Sequence, residues 1–438
     1  MRAVDIIIKK RDGGELSAAE IDFFVQGYAR GDIPDYQAAA WLMAVLLRGM
    51  TRRETTDLTL SMVRSGDVLD LSGVAPWVVD KHSSGGVGDK TTLVVAPVVA
   101  ALGMPVAKMS GRGLSFSGGT LDKLESIRGY RVDLTTEQFL HNLRTYGIVV
   151  CGQTADLAPA DGQFYALRDV TGTVESIPLI ASSIMSKKIA AGANAMVLDV
   201  KVGRGAFMKD RAQAVQLAQM MIDIGEGAGR EVTVLISAMD QPLGHAVGNA
   251  LEVKEAIAVL QGRPSAEFAM HCKAVAAEML ILGRKANDVP TATDMIERAI
   301  RDGTALAKFR TLVQAQGGDV AMVDDPALLP QAPFVETVPA PRDGWIAVLD
   351  AMAIGLTAVE LGAGRARKGE PIDLAVGVVL HRKVGDAVHR GEDLFTVHAR
   401  HREQLDPAKR ALLAAYQWSD NAIPPPPLIY EIIRGKRA

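Results

Sequence analysis

The stretch Asp80-Lys-His-Ser-Ser-Gly-Gly-Val-Gly-Asp-Lys-Thr-Thr92 follows a short run of strand-forming residues and opens an apolar helical pattern. Its three glycines let the backbone turn sharply, and the start of the helix adds a partial positive charge. Side-chain donors come from Lys81, Ser83 and Thr92. The stretch therefore predicts a phosphate-binding loop on a parallel α/β sheet, and a tight turn without a ligand is the simpler alternative.

A second loop of the same kind follows the next strand and also ends at the start of a helix. It is Lys108-Met-Ser-Gly-Arg-Gly-Leu-Ser-Phe-Ser-Gly-Gly-Thr120. Neighbouring strand ends in such sheets share one crevice. We therefore expect Lys108, Ser110 and Thr120 to converge on the anion that the first loop binds.

A third group of polar side chains lies in an otherwise apolar helical stretch. Ser183 and Lys187 are four residues apart and so share one helix face, and Arg168 precedes that helix. The group suits an anionic or carbonyl-rich ligand. From the spacing alone, an ordinary solvated helix face is the more common explanation.

The rest of the chain predicts several domains. Capping boxes at Ser17–Glu20 and Thr51–Glu54 begin two helices, and beyond Trp77 β-branched runs alternate with helical ones, as in parallel sheets with crossover helices. The proline-rich segment 330–341 is typical of a linker. The expected fold class is α/β plus all-α, with a small helical domain over 1–66 and 160–192, a larger mixed α/β domain with a mainly parallel sheet over 75–155 and 195–330, and a C-terminal α+β domain over 345–438.

Composition narrows the classes of function. The net charge is -3 and no long Lys/Arg run occurs, which argues against a nucleic-acid partner. No apolar run is long enough for a membrane span or a secretory signal. The two cysteines share no metal-ligand spacing and are expected to be free thiols in a reducing cytoplasm.

These motifs resemble the thymidine and pyrimidine nucleoside phosphorylases over nearly the whole chain. The most specific segment is Ser110-Gly-Arg-Gly-Leu with the following Gly-Gly-Thr-Leu-Asp-Lys-Leu-Glu125, which is similar to the family signature. The resemblance implies a pentosyltransferase that reversibly splits thymidine- or uridine-type nucleosides with inorganic phosphate as co-substrate. The products would be a free base and a (deoxy)ribose 1-phosphate, with no organic cofactor.

The same resemblance implies a role for each candidate residue. Phosphate would be bound by Lys81, Ser83, Thr92, Lys108, Ser110 and Thr120. The pyrimidine would be held by Arg168, Ser183 and Lys187, with apolar walls from Leu114, Val174, Ile180 and Phe207. The catalytic residues would be His82, Arg168 and Lys187, with His82 giving a hydrogen bond or a proton to the 2-oxo group, for which its near-neutral reference pKa is suited.

Some members of the family also hold a potassium ion. The matching positions are the backbone carbonyls of Gly88, Lys90, Leu243 and Ala246 and the carboxylate of Glu255.

One departure from the family pattern is Ser115-Phe116-Ser117, where Gly-His-Thr is usual, and it leaves the choice of sugar or base open. The C-terminal hairpin from Lys383 looks like that of biotinyl and lipoyl carriers but lacks their modifiable lysine turn, so we interpret it as a structural relative.

Three alternatives remain at this point: a phosphoribosyltransferase of the anthranilate type, a phosphorylase with altered nucleoside specificity, and a non-catalytic nucleoside-binding or scaffold protein. The preference for thymidine or uridine, and for deoxyribose or ribose, is open.

The apolar helix over 36–50 carries more apolar surface than one helix face buries, which predicts a homodimer formed through the N-terminal helices.

Overall fold

The computed structural model describes residues 1–113, 116–154, 156–263, 265–365, 367 and 369–436. The N-terminal part is helical, with α1 (Ala3–Arg11), α2 (Ala18–Ala29), α3 (Asp35–Arg48) and α4 (Arg52–Arg64). Both expected capping boxes are confirmed, at the starts of α2 and α4.

Strands and helices then alternate along the chain. The first group is β1 (Val79–Ser83), α5 (Thr91–Ala101), β2 (Val106–Ser110), α6 (Thr120–Leu124), α7 (Thr136–Tyr146) and β3 (Ile148–Gly152). Two helices interrupt it, α8 (Pro159–Thr171) and α9 (Ile177–Ala190). The alternation resumes with β4 (Ala195–Val202), α10 (Arg211–Gly227), β5 (Glu231–Ala238), β6 (Ala246–Val247), α11 (Asn249–Leu260), α12 (Ala266–Leu282), α13 (Val289–Arg301), α14 (Thr304–Ala315) and α15 (Ala321–Asp324).

The C-terminal part follows a short 3-10 turn at Pro326–Leu328. Its elements are β7 (Phe334–Pro339), β8 (Gly344–Leu349), α16 (Ala351–Leu361), β9 (Gly377–Leu380), β10 (Ala387–Val388), β11 (Asp393–Ala399), α17 (Leu405–Ala415), β12 (Tyr416–Ser419) and β13 (Ile429–Arg434).

The central sheet is parallel at its core, as the alternation predicts. β1, β4 and β5 pair in parallel, β2 pairs in parallel with β3, and β1 lies against β2. Every residue of β4 is buried, which is typical of a strand covered by helices on both faces. The carboxyl ends of β1 and β2 carry the two glycine-rich loops, so the sheet brings these loops side by side.

The helical domain is built from two separate segments of chain. Phe164 of α8 is 1% exposed and lies between Tyr28 and Trp41, with ring centres 4.6 Å and 5.7 Å away. Trp41 in turn stacks on Phe24 at 4.9 Å. The insertion after β3 therefore returns to the N-terminal bundle and shares its core.

The C-terminal region departs from the expected boundaries. The segment expected as a linker contains β7, which pairs with β11, because its prolines lie at or beyond the ends of the strand and leave the ladder intact. The last strand of the expected 345–438 domain, β13, pairs antiparallel with β5 of the central sheet. Conversely, β6 of the α/β domain pairs with β9 of the C-terminal domain, so each domain contributes a strand to a sheet of the other. None of the described helices is long and apolar enough to cross a membrane.

Candidate active site

The first glycine-rich loop joins the end of β1 to the start of α5. Gly85 has φ +90° and Gly88 has φ +72°, a backbone region that L-residues other than glycine seldom adopt. The backbone N–H of Gly85 donates to Ser83 Oγ at 3.2 Å. Lys81 is 4% exposed, and Thr92 lies buried in the first turn of α5. The loop therefore places polar donors at the end of β1 and at the start of α5.

The second loop lies against the first. Lys108 is 3% exposed within β2, Ser110 ends that strand, and Thr120 begins α6. A Cβ atom added at Gly85 would stand 3.0 Å from Ser117 Oγ of the second loop. The structure thus brings the two loops together, as the shared crevice of neighbouring strands predicts.

A buried lysine that sequence reasoning missed supports both loops. Lys188 Nζ lies 2.7 Å from Asp80 Oδ2 and donates to the carbonyl oxygen of Met109 at 3.0 Å. Lys108 Nζ donates to the same carbonyl oxygen at 3.0 Å. The available signal was the pair Lys187-Lys188 in an otherwise apolar helix, because adjacent helix residues point about 100° apart and the two lysines therefore do not share one helix face.

The positive charges of four lysines, Lys81, Lys108, Lys187 and Lys188, act on His82. Burial lowers the pKa of His82 well below its ordinary value, and the charges of Lys188, Lys108, Lys187 and Lys81 lower it further. Burial also lowers the pKa of Lys108 well below its usual range, and neighbouring Lys188 adds to that shift. His82 is therefore neutral near pH 7, which favours the hydrogen-bond role over the proton-donor role. An anion is the natural complement of such a cluster.

The third group of polar side chains lies on α8, which carries Arg168, and on α9, which carries Ser183 and Lys187. Lys187 Nζ lies 2.8 Å from Asp161 Oδ2 and 3.2 Å from Ser183 Oγ. Its side chain keeps 31% of its surface exposed, so it remains accessible to a ligand. The charges of Lys187 on α9 and Lys108 on β2 both lower the pKa of His82, so His82 lies within electrostatic range of both lysines.

Arg168 is not part of a solvated helix face, because it is 2% exposed. Its guanidinium donates to the carbonyl oxygens of Thr173 (3.3 Å), Leu179 (3.1 Å) and Val174 (2.6 Å). A guanidinium has five N–H donors, so two have no hydrogen-bond partner among the described residues and can bind a ligand. Burial lowers the pKa of Arg168, and the nearby Asp161 opposes that shift. Arg168 thus shapes the α8–α9 connection besides offering charge.

The apolar candidates differ in their placement. Phe207 is 53% exposed, and its ring centre lies 5.7 Å from that of Phe116. Phe207 also borders the first loop, 3.7 Å from where a Cβ of Gly85 would stand. Val174 and Ile180 are half-buried, beside the group on α8 and α9. Leu114 and the neighbouring Ser115 lie outside the described residues.

The residues matched to a potassium site do lie close together, but they surround a cation that belongs to the chain, the ammonium group of Lys90. The side-chain ammonium of Lys90 lies 2.7 Å from Glu255 Oε2 and 2.8 Å and 3.0 Å from the carbonyl oxygens of Leu243 and Ala246. The carbonyl oxygen of Gly88 accepts from the backbone N–H of Lys90 at 3.0 Å. With the ammonium at the centre, these residues do not fit a metal ion.

Comparison with known families covers most of the chain. Residues 4–66 match the helical bundle domain of the glycosyl transferase family, and residues 75–306 match its a/b domain. Residues 345–419 match the pyrimidine nucleoside phosphorylase C-terminal domain. The three matches follow the order of the helical, α/β and C-terminal parts.

Individual relatives are similar over nearly their full length. The pyrimidine-nucleoside phosphorylase of Geobacillus stearothermophilus is 53% identical over 433 residues, covering 99% of this chain and 100% of the relative. That of Bacillus subtilis (strain 168) is 54% identical, covering 93% and 94%. The crystal structure of anthranilate phosphoribosyltransferase from Thermus thermophilus covers 71% of this chain and 99% of its own with a TM-score of 0.59. At 20% identity, that likeness shows a shared fold alone.

Proposed function

This chain belongs to the pyrimidine-nucleoside phosphorylase family, and we propose that it reversibly splits thymidine- or uridine-type nucleosides with inorganic phosphate. The observation that carries the proposal is the lysine cluster around His82, in which Lys81, Lys108 and Lys188 are each no more than 4% exposed. Asp80 pairs with Lys188 and Asp89 lies 3.9 Å from Lys81 Nζ, but Lys108 forms no ion pair among the described residues, and a buried ammonium is costly unless an anion offsets it. A phosphate bound between the two loops supplies that offset.

In the proposed reaction, a phosphate oxygen forms a bond to C1′ of the sugar while the bond from C1′ to the base nitrogen breaks. The electron pair of the broken bond moves onto the pyrimidine, whose ring nitrogen takes up one proton, and the phosphate group gives up one proton as the pentose 1-phosphate forms. Phosphate is already a nucleophile, so the protein contributes positioning and electrostatic stabilisation, and no organic cofactor is needed.

The group on α8 and α9 receives the departing base. Arg168 and Lys187 stabilise the negative charge that develops on the pyrimidine, and Ser183 lies within reach of the same carbonyl groups. Neutral His82 donates a hydrogen bond to the 2-oxo oxygen. Phe207, Val174 and Ile180 contribute apolar contacts to the ring.

We further propose a cytoplasmic homodimer. An apolar patch on the N-terminal helices comprises Val4 and Ile8 of α1 with Tyr36, Met43 and Leu47 of α3, which are 36% to 74% exposed. α1 packs against α3, so these side chains form one surface that a second copy would cover. Two buried free thiols, Cys151 and Cys272, suit a reducing compartment.

A nucleoside panel tests the proposed function. The chain is incubated with thymidine, uridine, deoxyuridine, cytidine and a purine nucleoside in phosphate buffer, and free base is measured. Release of thymine or uracil is the expected result. If no nucleoside is split while phosphoribosyl pyrophosphate is consumed with anthranilate, the anthranilate-type alternative is correct and the proposal is refuted.

A further inference from the structure

Oxygen atoms and one aromatic ring enclose the side-chain ammonium of Lys90. Its Nζ lies 2.7 Å from Glu255 Oε2, 2.8 Å from the carbonyl oxygen of Leu243 and 3.0 Å from that of Ala246. The ring centre of Phe268 is 5.0 Å away, and the Lys90 side chain is 0% exposed. An ammonium has three N–H donors, and these three oxygens accept all of them.

Carbonyl and carboxylate oxygens around a single positive charge are also what binds a monovalent metal ion, because such oxygens replace the hydration shell of the ion. Here the positive charge is attached to the chain. A second cation among the same oxygens would stand against the Lys90 Nζ, and two like charges this close repel strongly where water is excluded.

We propose that the ammonium of Lys90 replaces a monovalent metal ion at this site, so that the first glycine-rich loop is held in place without potassium. The inference concerns the stability of the loop and does not depend on the proposed reaction. Three features of the structure support it: the position of Lys90, the hydrogen bonds of Glu255, and a second lysine on the same turn.

Lys90 stands at the junction of the loop and the helix. It immediately precedes α5 and is two residues after Gly88. A Cβ added at Gly88 would lie 2.7 Å from the carbonyl oxygen of Leu243, so the loop and the 242–246 turn are in close contact. Ala246 belongs to β6, which pairs with β9 of the C-terminal domain. The ammonium therefore ties the loop to that domain.

Glu255 balances the charge of Lys90 and is itself fully hydrogen-bonded. It accepts from the backbone N–H groups of His245 and Ala246, each at 2.9 Å, and from Ser265 Oγ at 2.7 Å. Burial opposes ionisation, but Lys90 and these hydrogen bonds outweigh it and lower the pKa of Glu255 to about 2. Without a cation beside it, this buried carboxylate would be left uncompensated.

A second lysine also binds carbonyl oxygens of the 242–246 turn. Lys383 of the C-terminal domain donates to the carbonyl oxygens of Pro242 at 2.8 Å and Gly244 at 3.1 Å, and it pairs with Glu267. The 242–246 turn thus directs its carbonyl groups at two fixed ammonium groups. Both cations are supplied by side chains.

Thermal unfolding of the full chain provides the first test. The midpoint is measured in potassium chloride and in choline chloride at equal ionic strength. We expect the same midpoint in both salts. A midpoint that rises with potassium and then saturates would show a bound ion, and it would overturn the proposal.

Two variants provide the second test. Lys90→Ala removes the ammonium and leaves its oxygens around an open space, so we expect a lower midpoint in choline chloride and partial recovery with potassium or methylammonium. Lys90→Met, which fills the space without charge, should be lowered in every salt without recovery. An unchanged midpoint for Lys90→Ala, or a lowered one that neither cation restores, would contradict the proposal.

A double variant keeps the test decisive if Lys90→Ala does not fold. Lys90→Met with Glu255→Gln removes both charges together, so no uncompensated carboxylate remains. We expect it to unfold at a higher temperature than Lys90→Met alone. An equal or lower midpoint would show that the Lys90–Glu255 pair is not what holds the loop.

Discussion

Lys187 Nζ lies 2.8 Å from Asp161 Oδ2, so an ion pair joins α9 to the first turn of α8 at the face where the base is proposed to bind. Asp161 is 2% exposed and holds the lysine in one direction. The pair shows how a lysine whose side chain is 31% exposed can be held in the position that its proposed role requires.

Lys187→Ala is expected to reduce kcat by about 10²–10³, because it removes an electrostatic group worth roughly 3–4 kcal/mol in comparable sites. Steady-state phosphorolysis measures the loss, and Lys285→Ala, at an exposed lysine, is the matched control. Arg168→Ala is expected to lose as much, although it also frees three backbone carbonyl groups. Normal turnover in both variants would place the base site elsewhere.

Lys188 and Asp80 give a prediction about stability. Lys188→Met leaves the carboxylate of Asp80 buried and unpaired, which costs about 3–5 kcal/mol. Lys188→Met with Asp80→Asn should recover part of that loss. Denaturant unfolding measures the free energy of unfolding of both variants. A double variant that is less stable than Lys188→Met alone would show that the Lys188–Asp80 ion pair does not account for the loss.

The pH dependence of His82 follows from its lowered pKa. The unfolded chain has a histidine pKa of about 6.5, so the stability contribution of His82 is complete above that pH and is lost as the pH falls towards the folded-state value. Phosphate among the lysines should raise the pKa of His82 again. Titration by NMR, with His82→Gln for assignment, measures both effects. His381, whose pKa burial also lowers, is the control and should not respond to phosphate.

Charge placed on the apolar patch should separate the subunits. Met43→Glu with Leu47→Glu puts two carboxylates on the exposed face of α3, where they oppose association without disturbing the buried face. Light scattering at micromolar concentration should then give the monomer mass. Leu356→Glu, at a leucine 43% exposed on α16, is the control and should remain dimeric. A wild-type monomer would refute the proposed interface.

Local patterns in the sequence predicted much of the fold. Both capping boxes are present where the sequence predicted them, and parallel strands alternate with helices beyond Trp77, because these features depend on residues that are close in sequence. The insertion after β3 was also expected to join the first bundle. β7 was missed because the flanking prolines suggested an extended linker.

Long-range partners could not be predicted from spacing. Lys188 meets Asp80 across 108 residues, and Lys90 meets Leu243 across 153. The position of Lys90 was expected to contribute a backbone carbonyl, whereas its side chain takes the central place. The side chain of Lys90 takes this place because the loop packs against the 242–246 turn, a long-range contact that the local sequence does not show.

The proposed reaction requires phosphate to be the nucleophile that splits the nucleoside. The most direct measurement incubates the chain with uridine or thymidine, with and without inorganic phosphate, and follows free base together with the phosphorus NMR signal of the sugar phosphate. Equal amounts of base and pentose 1-phosphate are expected with phosphate present, and no base without it. Base released at the same rate in phosphate-free buffer, with no sugar phosphate formed, would contradict the proposed reaction.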